Sequence, residues 1–192
     1  ETDNRIMRYA EALAERGDLV DVIALNDGKS EGYENINNVN VFRIQSRQIN
    51  EKNKWNYFLK IILFFFKSAL IISRKHLKSA YDLVHVHNMP DFEVFAALIP
   101  KLTGTKVILD IHDILPEFYA SKFSRNQKSI FFKILVAVER LSGRFADHVI
   151  ISNHLWQKTL VRRSFKSAKC TTLMNYPDEN IFYKRPRIRN DE

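Results

Sequence analysis

Apolar positions recur with a helical period over residues 4–16, placing Ile6, Tyr9, Ala10, Leu13 and Ala14 on one face. Gly17 then supplies the left-handed position that ends such a helix. Beyond it the apolar residues crowd together. Residues 19–25 read as a buried strand, residues 26–38 as a loop rich in Asn, Asp and Gly, and residues 39–44 as a second strand enriched in β-branched side chains. A long apolar helix is expected over 55–76 and a third strand over 81–86. Pro90 opens the next helix, which runs through Leu102, in the first-turn position proline favours, and Gly104 closes it. The continuous apolar run 106–111 predicts a central strand. A helix over 128–141 carries apolar residues at 130, 131, 134, 135, 138 and 141, and strands over 147–151 and 169–174 enclose a last helix over 153–163.

Strands that alternate with helices specify an α/β fold, because parallel strands need long crossovers and helices must then cover the sheet. The expected architecture is Rossmann-like and doubly wound, a mostly parallel sheet with helices on both faces. The first helix has no strand ahead of it, and the chain opens at Glu1 without a methionine or an apolar leader. A strand upstream and a longer parent polypeptide are therefore expected.

Composition narrows the chemistry. The chain has 192 residues, 45% apolar and 27% charged, enough for one substantial core. Its single cysteine, Cys170, excludes an intramolecular disulfide and every multi-cysteine zinc knuckle. None of the 5 glycines has the spacing of a dinucleotide or Walker phosphate loop. Lys plus Arg number 30 against 22 for Asp plus Glu, a net charge of +8 that favours an anionic partner. Nucleic acid is disfavoured, since neither zinc-finger spacing nor an aromatic RNA-binding strand is present. A phosphorylated ligand and an anionic membrane surface remain. The apolar stretch 58–72 is interrupted by Lys60 and Lys67 and falls short of the roughly 20 residues a spanning helix needs. Lys60, Lys67 and Arg74 recur every seventh residue, which fits either a sheet-covering helix with one wet stripe or a basic helix lying in a membrane interface.

In open parallel sheets ligands bind beyond the carboxyl ends of the strands. The polar residues there are His87, Asn88, His112, Asp113, Ser152, Asn153 and Asn175. His85 lies inside its strand and reads as a hydrogen-bonded core histidine. His87 and Asn88 enter a turn before a helix, where capping and function weigh equally. The sharpest signal is the segment 111–118, in which His112, Asp113 and Glu117 stand among large apolar residues. An imidazole there can hydrogen-bond a sugar hydroxyl or take its proton, whereas the plain reading of Glu117 is an ion pair with a basic residue. His87, His112 and Asp113 could alternatively serve a metal-dependent hydrolase. A third class is a non-catalytic carbohydrate-binding or scaffold module.

The sequence resembles the amino-terminal half of a retaining glycosyltransferase with the GT-B fold, of the family 4-like group that also contains sucrose and glycogen-type synthases. Residues 4–17 are similar to that family's first helix, and residues 81–87 to its strand with two alternate histidines. Residues 106–113 with Pro116 and Glu117 resemble its histidine-aspartate strand and loop; Glu139-Arg140, Ala146-Asp147 and Asn175, Asp178 and Phe182 follow in the family's order. The resemblance implies transfer of a sugar from a nucleotide-diphosphate sugar to an acceptor hydroxyl, in polysaccharide or glycolipid assembly, with no cofactor and no metal. It implies that His112 contacts the transferred sugar, that His87, Asn88, Asp113 and Glu117 line the acceptor side, and that Asn175 lies near the cleft floor, all as substrate-binding residues. It further implies an acceptor-side domain over 1–178 lacking its first strand, then a linker over 179–192 toward a nucleotide-sugar domain outside this sequence. On that reading the piece alone is inactive, and its setting is cytoplasmic, against the inner membrane face.

Overall fold

The structure, a computed structural model, describes residues 4–26, 32–46, 54–88, 90–122 and 129–174. Helix α1 (Asn4–Glu15) leads to β1 (Val20–Asn26), β2 (Gly32–Ile36) and β3 (Val39–Ser46), and then to the long α2 (Lys54–Lys78). Strand β4 (Leu83–His87) is followed by a 3-10 helix over Asp91–Ala97 and by α3 (Leu98–Leu102). Next come β5 (Lys106–Ile111), α4 (Leu115–Lys122), α5 (Ile130–Phe145), β6 (His148–Ile151), α6 (His154–Arg163) and β7 (Cys170–Thr172).

The alternation yields the expected α/β fold. Strands β4-β5-β6-β7 form a wholly parallel sheet with β5 inside it, as its unbroken apolar run predicts. Strands β1-β3-β2 form a second sheet, in which β1 and β3 are parallel and β2 and β3 antiparallel. The hydrogen-bonded ladder is thus two sheets rather than one among the described residues. Side-chain bonds tie them, since the Tyr81 hydroxyl donates to Asp21 Oδ2 at 2.7 Å and Lys75 pairs with the same oxygen at 3.2 Å.

Three elements depart from the sequence reading for identifiable reasons. The stretch taken as a loop over 26–38 contains β2, because Asn37 and Asn38 both take positive φ, 49° and 64°. Positive φ at both central residues is what a two-residue hairpin turn demands, and asparagine tolerates it. The segment after Pro90 winds first as a 3-10 helix. Pro100 has no amide proton for the Ala96 carbonyl, so a regular α-helix cannot run through it intact. The strand-end loop read within 111–118 turns into α4 from Leu115, with Pro116 and Glu117 in its first turn, where proline and a carboxylate are both favoured.

Helix ends follow side-chain chemistry. Ser129 accepts from the Phe132 amide at 3.2 Å and Asn153 from the Trp156 amide at 2.9 Å, capping α5 and α6. Gly17 and Gly104 sit at φ 100° and 101° just past α1 and α3.

Side chains alternate across a strand, and that alternation places the site. Val107, Leu109 and Ile111 of β5 share the main core with Val94, Ala97, Val149, Ile151, Leu160 and Phe165, and Val84 and Val86 of β4 pack against it. The intervening residues, His85, His87 and Asp110, therefore lie on the opposite face. There α1 covers them through Arg5 and Tyr9, so helices occupy both faces of the sheet.

Candidate active site

Asp110 is fully buried at the register position of His87, on the strand beside it. Its Oδ1 accepts from the Arg5 guanidinium at 3.1 Å. Its Oδ2 faces three imidazoles, with His87 Nδ1 at 3.4 Å, His85 Nε2 at 3.5 Å and His112 Nε2 at 3.6 Å. These are ion-pair separations without hydrogen-bond geometry, and His85 Nε2 and Asp110 Oδ2 are buried with no hydrogen-bond partner among the described residues. Burial alone pushes the Asp110 carboxyl up, but the histidines outweigh it and hold the group well below the usual carboxylate range. A permanent anion thus sits beneath the imidazoles. The His87 pKa is lowered too, but here by burial, which outweighs the pull of Asp110.

His87 Nδ1 and His112 Nε2 lie 3.1 Å apart, so one nitrogen carries the shared proton and the other accepts it. The Tyr9 ring stacks on His87 at 5.9 Å and on His85 at 5.5 Å between centroids. Arg5 Nε donates to the Tyr9 hydroxyl at 3.1 Å, and its Nη2 donates to the Leu173 carbonyl just beyond β7 at 3.1 Å. One buried arginine of α1 therefore ties the helix to β5 and to the chain leaving β7.

The backbone of His112 is held from both neighbouring strand ends. Its amide donates to Asn88 Oδ1 at 2.8 Å, and its carbonyl accepts from Ser152 Oγ at 3.1 Å. The Asn88 amide group also donates to Asp91 Oδ1 at 2.7 Å and to the Asp113 carbonyl at 3.0 Å. Asn88 is buried and spends its side chain on positioning the His112 loop. Asp91, next to it, has its carboxyl pushed up to about 6 by burial, against the favourable Asn88 bond.

His87, Asn88, His112 and the Asp113 backbone are thus brought together at the carboxyl ends of β4 and β5, and Ser152 joins them from β6. Asn153 is used as the cap of α6. Glu117 takes its plain reading: it forms a two-pronged pair with Arg163, which also bonds Glu139 through Nε at 3.0 Å and Nη2 at 2.6 Å. This network ties α4, α5 and α6 together, and its Glu117 end faces a cation. Asn175 lies outside the described residues. His85, read as a satisfied core histidine, belongs to the cluster instead.

Sequence reasoning missed Arg5, Tyr9 and Asp110. The available signals were an aspartate inside an otherwise apolar central strand, and an arginine one turn before a tyrosine on the buried side of a helix. The ligand atoms of His85, His87 and Asp110 lie within 4.8 Å of one another, a spacing compatible with a cation. The Arg5 charge already on Asp110 opposes a second cation there. Asp113 offers this cluster only its backbone carbonyl among the contacts described, so a hydrolytic trio of His87, His112 and Asp113 is not what the fold assembles.

The family profile of the glycosyl transferase 4-like domain matches residues 2–175. The chain belongs to this family. No curated protein matches the sequence of this glycosyl transferase 4-like domain. Its fold matches that of sucrose-phosphate synthase from Thermosynechococcus elongatus with a TM-score of 0.70 and 17% identity, covering 93% of this chain and 43% of that one. A shorter chain of sucrose-phosphate synthase from the same organism matches with a TM-score of 0.64 and 16% identity, covering 92% of this chain and 87% of that one. The glycosyl transferase 4-like domain thus spans less than half of the longer neighbour, and the likeness at this identity is one of fold, a Rossmann-like α/β arrangement.

Proposed function

We propose that this domain is the acceptor-side half of a retaining glycosyltransferase, which moves a hexosyl group from a nucleotide-diphosphate sugar to an acceptor hydroxyl. The supporting observation is His112. It stands at the carboxyl end of the central parallel strand, its backbone is clamped by Asn88 and Ser152, and its ring contacts His87 above the buried Asp110 anion. Clamping of this kind fixes a hydrogen-bonding group before substrate arrives, so no reorganisation opposes it when charge develops on the sugar. We assign His112 the role of hydrogen-bonding the transferred sugar in the transition state. His87 sets the orientation and proton state of that ring, Asp110 holds the electrostatics below it, and we assign Asp113 to the acceptor side and Asn175 to the cleft floor.

In this reading the nucleotide-sugar is a substrate, no resident cofactor or metal is needed, and the net charge of +8 favours anionic donors and lipid-linked acceptors. Residues 1–178 form the domain and 179–192 lead toward a nucleotide-sugar domain, so the piece alone does not turn over. The setting is polysaccharide or glycolipid assembly on the cytoplasmic side. The experiment is transfer of labelled sugar by the full-length polypeptide, offered UDP-, GDP- and ADP-sugars in turn. Transfer or slow donor hydrolysis with one class supports the reading, and neither activity with all three rejects it.

A further inference from the structure

Helix α2 runs for 25 residues and is long and apolar enough, by length and hydropathy alone, to cross a membrane. Its packing forbids that. Gln45 Nε2 of β3 donates to the Lys60 carbonyl at 2.9 Å, Lys67 Nζ donates to the Ile44 carbonyl at 3.0 Å, and Lys75 pairs with Asp21 at 3.2 Å. Farther along, His76 bonds Thr103 at 2.6 Å and Phe65 meets Phe92 edge-on at 5.8 Å. One side of α2 is therefore built into the fold, with Ser68 and His76 buried.

The other side is apolar and uncovered among the described residues. Trp55, Leu59, Leu63, Phe66, Leu70 and Leu77 fall within a stripe of about 80° at about 100° per residue. Trp55 and Leu77 at its ends are 76% and 73% exposed, and Phe66 in the middle is 63% exposed. At a rise of about 1.5 Å per residue the stripe is about 33 Å long. Scattered apolar side chains on a surface need no explanation, but a continuous stripe of this size marks an interaction site.

Charge selects the partner. The helix carries Lys54, Lys60, Lys67, Arg74, Lys75 and Lys78 and not one carboxylate. Lys60, Arg74 and Lys78 fall along one flank of the stripe, about 60–100° from its centre, with Lys67 between them turned to the Ile44 carbonyl. On that flank an open groove of about 550 Å³ between β3 and α2 is lined by Phe42, Arg43, Ile44, Ile71, Arg74 and Lys75; Arg43 pairs with Glu34 and Lys75 with Asp21, so the basic border is carried by the helix itself. Tyr57 and Phe58 join Trp55 at the amino-terminal end, all three exposed. Amphipathic aromatic rings favour the boundary between water and hydrocarbon. A second copy of the chain would bring one cationic border against another, whereas an anionic bilayer accepts the stripe and the border together.

We propose that α2 seats the protein on an anionic lipid surface, with the stripe from Trp55 to Leu77 immersed at the headgroup boundary and the Lys60–Lys78 flank on the lipid charges. The helix lies in the interface and does not cross it. Lysine and arginine stems can lie along the apolar edge while their charged ends reach the phosphates. The inference goes beyond the transfer reaction and does not depend on it, because binding is read without turnover.

The test is co-sedimentation of the protein with phosphatidylcholine vesicles, with and without roughly 30% phosphatidylglycerol, at low and high salt. The expected result is partitioning at least about tenfold stronger to the anionic vesicles, lost at roughly 0.5 M salt. Phe66→Glu with Leu70→Glu should reduce partitioning by about tenfold or more, since both side chains are exposed and the fold does not need them. The milder Leu59→Gln with Leu63→Gln should give the same direction if the charged pair disturbs folding. Lys60→Glu with Lys78→Glu should erase the preference for anionic vesicles. Equal binding to both vesicle types, no binding to either, or apolar variants that bind as the parent does would overturn the proposal. So would a protein dimer that the Phe66 and Leu70 changes dissolve while vesicle binding is nil.

Discussion

His87 and His112, from adjacent strand ends, meet nitrogen to nitrogen at 3.1 Å above the buried carboxylate of Asp110. The pair exists because β4 and β5 are parallel neighbours in a register that sets His87 opposite Asp110, with His112 two residues farther on. The anion below is itself held by Arg5, so the site rests on an interaction between α1 and β5 as much as on its histidines.

The Arg5–Asp110 pair can be broken from one side. Asp110→Asn leaves the Arg5 guanidinium buried without its counter-charge, a change that costs about 3–5 kcal/mol in comparable buried pairs. Urea unfolding of the variant checks this, and a loss below about 1 kcal/mol would show that the pair does not tie α1 down. Because the Asp110 carboxyl is held below its unfolded value, its contribution is present above about pH 4 and is lost as pH falls through the folded value.

Glu93 shifts in the opposite direction, because burial there is not outweighed by a cationic neighbour. Its carboxyl is pushed up to about 7, so the unfolded chain ionises first and stability falls as pH rises from about 4.5 toward 7. Asp91, raised to about 6, adds to the same trend. Glu93→Gln should therefore raise the melting temperature at pH 8 and leave it nearly unchanged at pH 4, with a gain of order 2 kcal/mol at the upper end. An equal effect at both pH values would contradict the assignment.

Gly143 lies inside α5 and is buried, and a methyl group added there would run into the Phe165 ring. Helix propensity alone predicts that alanine gains about 1 kcal/mol at such a position. Here overpacking against a buried ring should outweigh that gain, so Gly143→Ala should lower stability by about 1–3 kcal/mol. A stabilised variant in thermal melting would show that Phe165 can move aside.

The two clamps on His112 differ in the number of bonds they make. Ser152→Ala removes one bond, to the His112 carbonyl, and should cost about 0.5–1.5 kcal/mol. Asn88→Ala removes bonds to the His112 amide, the Asp113 carbonyl and Asp91, and should cost clearly more. Equal losses in denaturant melts would mean that Asn88 is not the principal brace.

Most of the α/β alternation is legible in the residues because the parallel strands carry short, dominantly apolar runs, as over 107–109 and 149–151. What escapes depends on contacts made far along the chain. Arg5 reads as a surface residue of an amphipathic helix until the fold sets it 3.1 Å from Asp110, 105 positions away. Asn88 reads evenly as a cap or a functional residue, and only the loop after β5 shows that its side chain braces His112. The hairpin of β2 and β3 and the short helix α4 had local signals, Asn37-Asn38 and Pro116-Glu117, that weigh little beside the polar stretches around them. Glu117 reads as a site residue with an ion pair as its plain alternative, and the structure pairs it with Arg163.

The central claim is that His112 stabilises the reacting sugar. Steady-state transfer by the full-length polypeptide carrying His112→Ala, with its thermal melt measured alongside, tests it most directly. The account predicts a fall in kcat of about 10²–10³-fold with the melting temperature nearly unchanged, since the backbone clamps on residue 112 remain. A variant that folds and turns over at the parent rate would contradict it.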